Sequence, residues 1–149
     1  MKENKIYKEI FNEIIKPKMY QKQFSIDDDN VFITPNGFYG FIFAKKNLPF
    51  NIEKIPKSDT KLDFDNIVKP ENECKLTNRF VMSKSKVLGM LRILKQEDRE
   101  IFVKQGYFQY FDDAAKFYQE KDLCMIVVVE FGQVVGGFMP VRLTEGEKE

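Results

Sequence analysis

The most constraining feature of this chain is an apolar run near its C-terminus. Residues 125–129 read MIVVV and offer no polar side chain to either face of a strand. Strands that are apolar on both faces occur in the covered middle of a sheet. We therefore predict a central strand here, joined through a hairpin around Phe131, Gly132 and Gln133 to a second strand in QVVGGFMPVRL.

The beginning of the chain carries one helical pattern and one strand pattern. Isoleucines recur every four residues from Ile6, which predicts an amphipathic helix over residues 2–16. Alternating apolar residues then flank Asn36 and Gly37, a dipeptide typical of tight hairpin turns because both residues tolerate positive φ. A three-stranded meander is predicted over residues 24–43.

The middle of the chain is less periodic. Residues 45–73 are interrupted by prolines and predict an irregular connection with short elements at most. Residues 75–82 alternate weakly and predict a strand. Residues 84–96 fit a helix or a strand with Gly89 at a bulge. The helix is favoured because four apolar residues share one helical face, namely Val87, Leu88, Leu91 and Leu94.

The two patterns alternate again in the last third of the chain. The segment EIFVK predicts a short strand. Residues 105–119 place aromatic side chains at helical spacing, and this spacing continues to Tyr118. A second helix is therefore predicted immediately before the apolar C-terminal hairpin.

Together these elements predict an α+β fold in a single domain over residues 1–149. A helix plus an antiparallel meander is expected in residues 1–44 and again in residues 74–143, with the helices packed on one face of the sheet or sheets. Residues 45–73 would connect the halves, and residues 144–149 would form a flexible tail.

The chain contains no histidine, which narrows the chemistry available to it. Ser-His-Asp and Cys-His catalysis, most catalytic zinc sites and the usual proton shuttle near neutral pH are excluded. The sequence predicts no catalytic motif, metal site or cofactor, so we expect a protein that is not an enzyme. An enzyme without histidine would need Asp, Glu, Lys, Tyr or Cys groups brought together by folding.

Charge and cysteine content also limit the partners. The 24 basic and 23 acidic residues give a net charge of +1, so no global attraction to nucleic acid is expected. Cys74 and Cys124 are far apart in sequence and predict reduced thiols in a cytoplasmic protein. The N-terminus is charged, unlike a signal peptide, and the run 125–129 is too short to span a bilayer, so no membrane partner is expected.

The strongest local charge lies between Cys74 and Gln96. Gathered on one face, its basic residues would contact phosphates and form a nucleic-acid or anion site. Acidic residues flank the segment on both sides, so an ion-paired or solvated face is the favoured interpretation. The segment contains no acid and six basic residues, namely Lys75, Arg79, Lys84, Lys86, Arg92 and Lys95.

Other conspicuous patterns have structural explanations. The turn DDDN at 27–30 and the acidic pair at 112–113 are predicted to be solvated, because carboxylates adjacent in sequence point in different directions. The aromatic residues at 38–43 are predicted to be hairpin core rather than a base-stacking platform. Gly136 and Gly137 lie in a strand pattern and predict a bulge or a close backbone contact, not a phosphate loop.

The segment from EIFVK to the C-terminal strand resembles a domain of bacterial DNA polymerase sliding clamps, mainly over residues 97–143. Clamp chains typically end in Met-Pro-(Met/Val)-Arg-Leu, and MPVRL matches that pattern here at residues 139–143, with six residues after it. The resemblance implies a clamp-like fold, with a helix ending near Asp113 and a strand at AKFYQ. It also implies an apolar peptide pocket whose candidate residues are Met139, Pro140, Val141 and Arg142.

We therefore expect a non-enzymatic binding module that binds protein or peptide partners near its C-terminal strand. The resemblance places it in DNA processing or in a phage or mobile-element context, and a ring would require a homo-oligomer. Two alternatives stay open. One is nucleic-acid binding through the basic residues of segment 75–95, and the other is a structural or interaction protein.

Overall fold

Nine antiparallel strands in one sheet dominate the structure. The computed structural model describes residues 1–15, 21–48, 51–122 and 124–143. The sheet order is β1-β2-β3-β9-β8-β7-β4-β5-β6. In chain order the strands are β1 (Lys22–Ser25), β2 (Asn30–Thr34), β3 (Tyr39–Ala44), β4 (Glu73–Met82), β5 (Met90–Gln96), β6 (Arg99–Lys104), β7 (Lys116–Tyr118), β8 (Ile126–Glu130) and β9 (Gln133–Phe138).

The only α-helix among the described residues is α1 (Glu3–Ile15). Its apolar stripe is buried through Ile6 and Ile10, and the ring of Tyr7 stacks on Phe43 of β3 at 5.7 Å. The first predicted helix is thus confirmed, although residue 16 lies outside the described residues. The remaining helical turns are short 3-10 helices at Lys45–Asn47, Ile52–Lys54, Pro70–Asn72 and Gln105–Tyr110.

The predicted α+β fold with two helix-plus-meander units is wrong, and so is the clamp-like architecture. Residues 84–96 are not helical in the structure. They form a turn, in which Gly89 has a φ of 63°, followed by β5. β5 pairs with β4 on one side and β6 on the other, and it buries Ile93 on one face and Leu94 on the other. Because β5 is buried on both faces, its apolar residues do not alternate strictly, and their spacing also fits one face of a helix.

The second predicted helix, over residues 105–119, is also wrong. The 3-10 helix Gln105–Tyr110 ends at a bend, and β7 follows within the AKFYQ segment. Phe117 pairs with Cys74 of β4 and with Val128 of β8, while its ring contacts Phe108 edge to face at 5.5 Å. Sheet pairing and aromatic packing thus override the helical spacing of these rings.

The two predicted hairpin regions are confirmed. β1, β2 and β3 form the expected meander, with Gly37 at a φ of 86° in the β2–β3 turn. β8 and β9 form the C-terminal hairpin. Its turn residues, Phe131 and Gly132, both have positive φ, as a two-residue hairpin turn requires. β8 is central as predicted, because it pairs with both β7 and β9 and all its residues are buried.

The far end of the sheet returns to the segment that follows β9. The backbone N–H of Val141 donates to the carbonyl oxygen of Phe102 in β6 at 2.7 Å, and the two residues form an antiparallel bridge. β9, β8, β7, β4, β5 and β6 are consecutive neighbours in the sheet, so this bridge closes six strands into a barrel. β1 to β3 extend the sheet beyond β9.

Different segments cover the two faces of the extended sheet. Helix α1 joins the larger core cluster through Ile6 and Ile10. On the other face, Phe64 packs with Phe32 and Val127, together with neighbouring apolar residues of the segment 62–68. The sheet is therefore covered by one helix on one face and by an irregular segment on the other. Two helices on one face were expected.

Glycines allow close backbone contact where β3 and β9 pair. A Cβ on Gly136 would lie 2.5 Å from the carbonyl oxygen of Gly40, and one on Gly137 would lie 2.9 Å from that of Ile126. Distances below 3 Å are not tolerated without movement of the backbone. The predicted close contact at the glycine pair is thus confirmed.

We expect Gly136→Ala to lower the free energy of unfolding by about 2 kcal/mol or more, because overpacking against backbone forces the strands apart. The matched control is Gly106→Ala, where an added Cβ would have no atom within 4 Å. The control should stay within about 0.5 kcal/mol of the parent chain. Urea unfolding followed by circular dichroism measures both, and equal effects would contradict the account of β3–β9 packing.

Candidate functional site

The four residues of the expected peptide pocket do not share one pocket. Met139 lines an apolar groove, and its backbone N–H donates to Phe38 O at 2.7 Å. Pro140 follows the end of β9, where its missing N–H costs no ladder bond. Val141 closes the barrel on β6, and Arg142 is exposed. Of the four, Met139 alone lies in the groove.

We name this groove the Met139 groove. Its volume is about 350 Å³. Phe38, at its edge, is 56% exposed. Lys22 is the one charged residue in its lining. The apolar side chains that form its walls are Phe24, Phe32, Phe38, Leu62, Met125 and Met139.

The walls of the Met139 groove come partly from paired strands. Phe24 in β1 and Phe32 in β2 are directly opposite each other, and their rings meet edge to face at 5.9 Å. Gly40 makes room for the Phe32 ring, since a Cβ at position 40 would lie 2.5 Å from Phe32 Cζ. The other apolar wall residues lie in the segments between or after the strands, namely Phe38, Leu62, Met125 and Met139.

The six basic residues of segment 75–95 are not gathered on one free surface. Arg92 donates from Nε to the Thr77 carbonyl oxygen at 2.6 Å, and its guanidinium lies 4.6 Å from the Phe80 ring centroid. Arg79 forms an ion pair with Glu100. These two cations are thus engaged within the chain.

The four lysines of the segment form no ion pair with any described residue, but they occupy two different places. Lys75 and Lys95 are exposed and directly opposite each other on β4 and β5. Glu100 is opposite Lys95 on the other side, which offsets this like-charge pair. Lys84 and Lys86 lie on the exposed β4–β5 turn.

A second depression, missed by the sequence analysis, opens where β4 and β7 separate. Their pairing ends at Cys74 and Phe117, and the depression begins beside the next inward residue of β4, Leu76. We call it the β4–β7 cleft, and its volume is about 510 Å³. Its apolar lining is Leu76, Phe108, Phe111 and Phe117, and its polar lining includes Arg92, Gln105, Asp112 and Asp113.

One polar atom at this cleft lacks a partner. Gln105 Oε1 is buried and accepts no hydrogen bond from any described residue. A buried acceptor left unpaired costs free energy. The sequence held only a faint signal for the cleft, the weak alternation of residues 75–82 that predicted a strand.

The carboxylates do not assemble into a metal or acid–base site. Asp27 accepts hydrogen bonds from the side chain of Asn30 and from the backbone of Asp29 and Asn30, which lowers its pKa. The solvated turn predicted at 27–30 is confirmed. Among the described residues, no group of three or more His, Cys, Asp or Glu could hold a metal ion.

Buried titratable groups have structural roles. Glu130 is buried, where its carboxylate forms an ion pair with the N-terminal ammonium of Met1 and accepts the Asp112 backbone N–H at 2.6 Å. Burial raises the pKa of Tyr110 to about 12. Burial also raises the pKa of the Cys74 thiol to about 11. Both groups are therefore neutral near pH 7 and lack the form that a base or nucleophile needs.

No protein-family model, curated protein or solved structure matches this chain. None of the described helices is long and apolar enough to cross a bilayer.

We expect the Cys74 thiol to react slowly with disulfide reagents in the folded chain. The measurement uses a Cys124→Ser variant at pH 8. Labelling of Cys74 should be at least on the order of 100-fold slower in the folded chain than in the urea-unfolded chain, because only the thiolate reacts and burial lowers its fraction. The folded rate should keep rising until about pH 11, where the thiol titrates. Equal folded and unfolded rates would contradict the burial of Cys74 in the core.

Proposed function

We propose that this chain is a peptide-binding module whose partner docks an apolar side chain in the Met139 groove. The single observation that carries the proposal is an apolar groove next to the C-terminal strand, lined by residues of β1 to β3 and of the connecting segments. Its volume of about 350 Å³ falls within the range of small-ligand and side-chain pockets. Phe38 and Met139 offer exposed apolar area that water solvates poorly.

The charge of the groove limits the chemistry of the partner. Lys22 is its only charged lining residue, so a carboxylate beside the apolar anchor would find a complementary charge. The partner that fits is a short segment with an aromatic or aliphatic side chain next to Asp or Glu. A segment with a basic residue at that place would be disfavoured.

Several observations support a binding role over a catalytic one. The buried Cys74 and Tyr110 have raised pKa values and are held in their neutral forms. The polar side chains that line the Met139 groove are Lys22, Thr34 and Tyr39, with no carboxylate or cysteine among them.

The other expectations stay predictions. Nucleic-acid binding through segment 75–95 would rely on its four lysines, since Arg79 and Arg92 are engaged within the chain. The cytoplasmic location and a homo-oligomer likewise stay predictions.

Methyl NMR of methionine-labelled protein tests the Met139 groove directly. The probes are two acetylated tripeptide amides, Glu-Phe-Leu and Lys-Phe-Leu. We expect the glutamate peptide to shift the methyl signals of Met125 and Met139 saturably. It should bind about two- to fivefold more tightly than the lysine peptide, because exposed charge pairs contribute about 0.2–1 kcal/mol.

Two controls make this test specific. Lys22→Ala should remove the preference for glutamate while leaving binding of the phenylalanine anchor. Met82 and Met90 lie on the β4–β5 hairpin, outside the groove lining, and their signals should stay in place. Shifts at Met82 and Met90 without shifts at Met125 and Met139 would contradict docking in the Met139 groove.

A further inference from the structure

The end of the β4–β5 hairpin, residues 80–90, is a defined projection that we call the hairpin tip. Beyond Cys74, β4 continues with β5 as its one described neighbour. The turn is held by backbone hydrogen bonds from Ser83 N–H to Gly89 O at 2.9 Å and from Gly89 N–H to Ser85 O at 3.1 Å. The hairpin tip therefore has a fixed backbone shape rather than that of a loose loop.

Apolar and basic side chains are exposed together on the hairpin tip. Lys84 and Lys86 are exposed, form no ion pair with any described residue and have no acid beside them within residues 80–90. Four apolar side chains are each between 45% and 79% exposed, namely Phe80, Met82, Val87 and Met90. Apolar side chains exposed next to one another mark an interaction surface.

A groove with the complementary chemistry lies over the sheet face that Phe64 partly covers. We call it the acidic groove, and its volume is about 1160 Å³. This volume exceeds the range of small-ligand sites, so the groove has room for several side chains. Its floor consists of half-buried apolar residues that pack on the cluster of Phe32, Phe64 and Val127, namely Ile26, Ile42, Leu62 and Val134.

Carboxylates dominate the rim of the acidic groove. Lys61 is the one cationic side chain in its lining, and the Met1 ammonium beside it forms an ion pair with Glu130. Four exposed carboxylates line the groove and form no ion pair with a described residue, namely Glu3, Asp27, Asp63 and Asp65. Four carboxylates against one lysine leave the groove acidic.

The carboxylates differ in how free they are. Asp27 accepts hydrogen bonds from Asn30 and lies near Lys45, so it contributes least to a partner. Asp63 accepts a hydrogen bond from the Asn66 amide, which is neutral and leaves the negative charge in place. Asp65 forms no hydrogen bond with a described residue. The segment that carries Asp63 and Asp65 is therefore the part of the rim best suited to a cation.

We propose that the hairpin tip of one copy of this chain docks in the acidic groove of a second copy. Val87 and the paired Met82 and Met90 contact the apolar floor. Lys84 and Lys86 lie beside the carboxylates of the rim. Each surface thus supplies what the other lacks, apolar area for apolar area and cations for anions.

The two surfaces that meet belong to different copies. No residue of the hairpin tip lines the acidic groove of its own chain, and three strands separate β4 from β3 in the sheet. Because the tip and the groove are different surfaces, the contact is head to tail. Each pair of copies keeps one free tip and one free groove, so association continues beyond the dimer or closes into a ring.

Other occupants match only half of either surface. A nucleic acid would pair with Lys84 and Lys86 but would leave Val87 and its apolar neighbours in water, and the rim of the acidic groove would repel its phosphates. A small cation would meet the carboxylates but not the apolar floor. A second copy of the chain satisfies both kinds of group on both surfaces.

This inference goes beyond the proposed function and fails separately from it. The acidic groove and the Met139 groove share Leu62 in their linings but no charged residue. The methyl signals of Met82 and Met90 should shift with the concentration of the chain. They should stay in place in a tripeptide titration, in which that concentration is constant.

Sedimentation velocity of the full chain tests the association. We expect the mean mass to rise with concentration up to about 1 mM, because a contact of this small size is weak. Added salt should lower the mean mass, since the charges on both surfaces are exposed and screened. A monomer at every concentration in low salt would overturn the proposal.

Charge reversal on each surface makes the test specific. One variant carries Lys84→Glu with Lys86→Glu, and the other carries Asp63→Lys with Asp65→Lys. Each alone should associate at least about tenfold more weakly than the parent, because its tip and groove then have the same sign. The mixture should associate as the parent does. Two weakened variants that do not associate when mixed would refute docking of the tip in the groove.

Two matched variants change the net charge equally outside both surfaces. They are Lys75→Glu with Lys95→Glu and Glu71→Lys with Glu120→Lys, all at exposed positions. Both should associate as the parent does, and circular dichroism should show the parent fold in all four variants. Losses as large as those at the tip and the groove would mean that general repulsion is responsible, which would contradict the assigned contact.

The apolar part of the contact has its own variant. Val87→Ser should weaken association at least about threefold, since it removes apolar area from the contact. Its fold should not suffer, because Val87 is 79% exposed. The control is Phe131→Ser in the β8–β9 turn, where the ring is 80% exposed, and its association should equal that of the parent. Equal effects of the two would overturn the role of Val87.

The competing occupants are tested with the same charge variant. A labelled single-stranded DNA and vesicles of anionic phospholipid are titrated with the parent chain and with the variant that carries Lys84→Glu and Lys86→Glu. We expect neither to compete with self-association. Binding of DNA or vesicles that depends on the two lysines, in a chain that stays monomeric, would overturn the proposal.

Discussion

The packing of aromatic rings around Phe138 holds the strands of this fold together. Phe138 is fully buried, and its backbone lies between Tyr39 of β3 and Ile126 of β8. Four rings from the 3-10 helix, the following bend and β7 surround its side chain at centroid distances of 5.3 to 6.0 Å, namely Tyr107, Phe108, Phe111 and Phe117. Aromatic rings at such distances contribute both buried area and favourable edge or offset contacts. This cluster fixes where β9 ends, and the three residues beyond it then reach Phe38 through Met139 and Phe102 through Val141.

How much of this could be predicted from sequence depended on the range of the interactions. The meander around Gly37 and the hairpin at Phe131 and Gly132 were predictable, because turn chemistry and alternation are local. The helices over 84–96 and 105–119 were not, because their apolar residues fit both periods and only long-range pairing decides between them. A close backbone contact at Gly136 was predictable, but the identity of its partner, Gly40, was not. The β4–β7 cleft depends on β4 being longer than its neighbour β7, a fact that only the pairing register contains.

The two candidate binding surfaces use the same sheet differently. The Met139 groove is lined partly by paired strands, through Phe24 in β1 and Phe32 in β2, and partly by connecting segments, through Leu62 and Met125. Beyond Cys74, β4 has instead no described strand on the side that faces away from β5. The four residues of the expected pocket are separated, because the segment after β9 runs from Phe38, where Met139 bonds, to Phe102 of β6, where Val141 bonds.

Hydrogen exchange of the free chain, resolved by amide in NMR spectra, tests the uncovered β4 edge most directly. Outside the register shift between Leu76 and Phe80, the amides of residues 75–82 should divide into protected ones, bonded to β5, and ones that exchange orders of magnitude faster because they face solvent. The amides of Val127, Val128 and Val129 should all be protected, since β8 has a strand on each side. Uniform protection along 75–82, matching that of β8, would mean that the β4 edge is covered and would contradict the account.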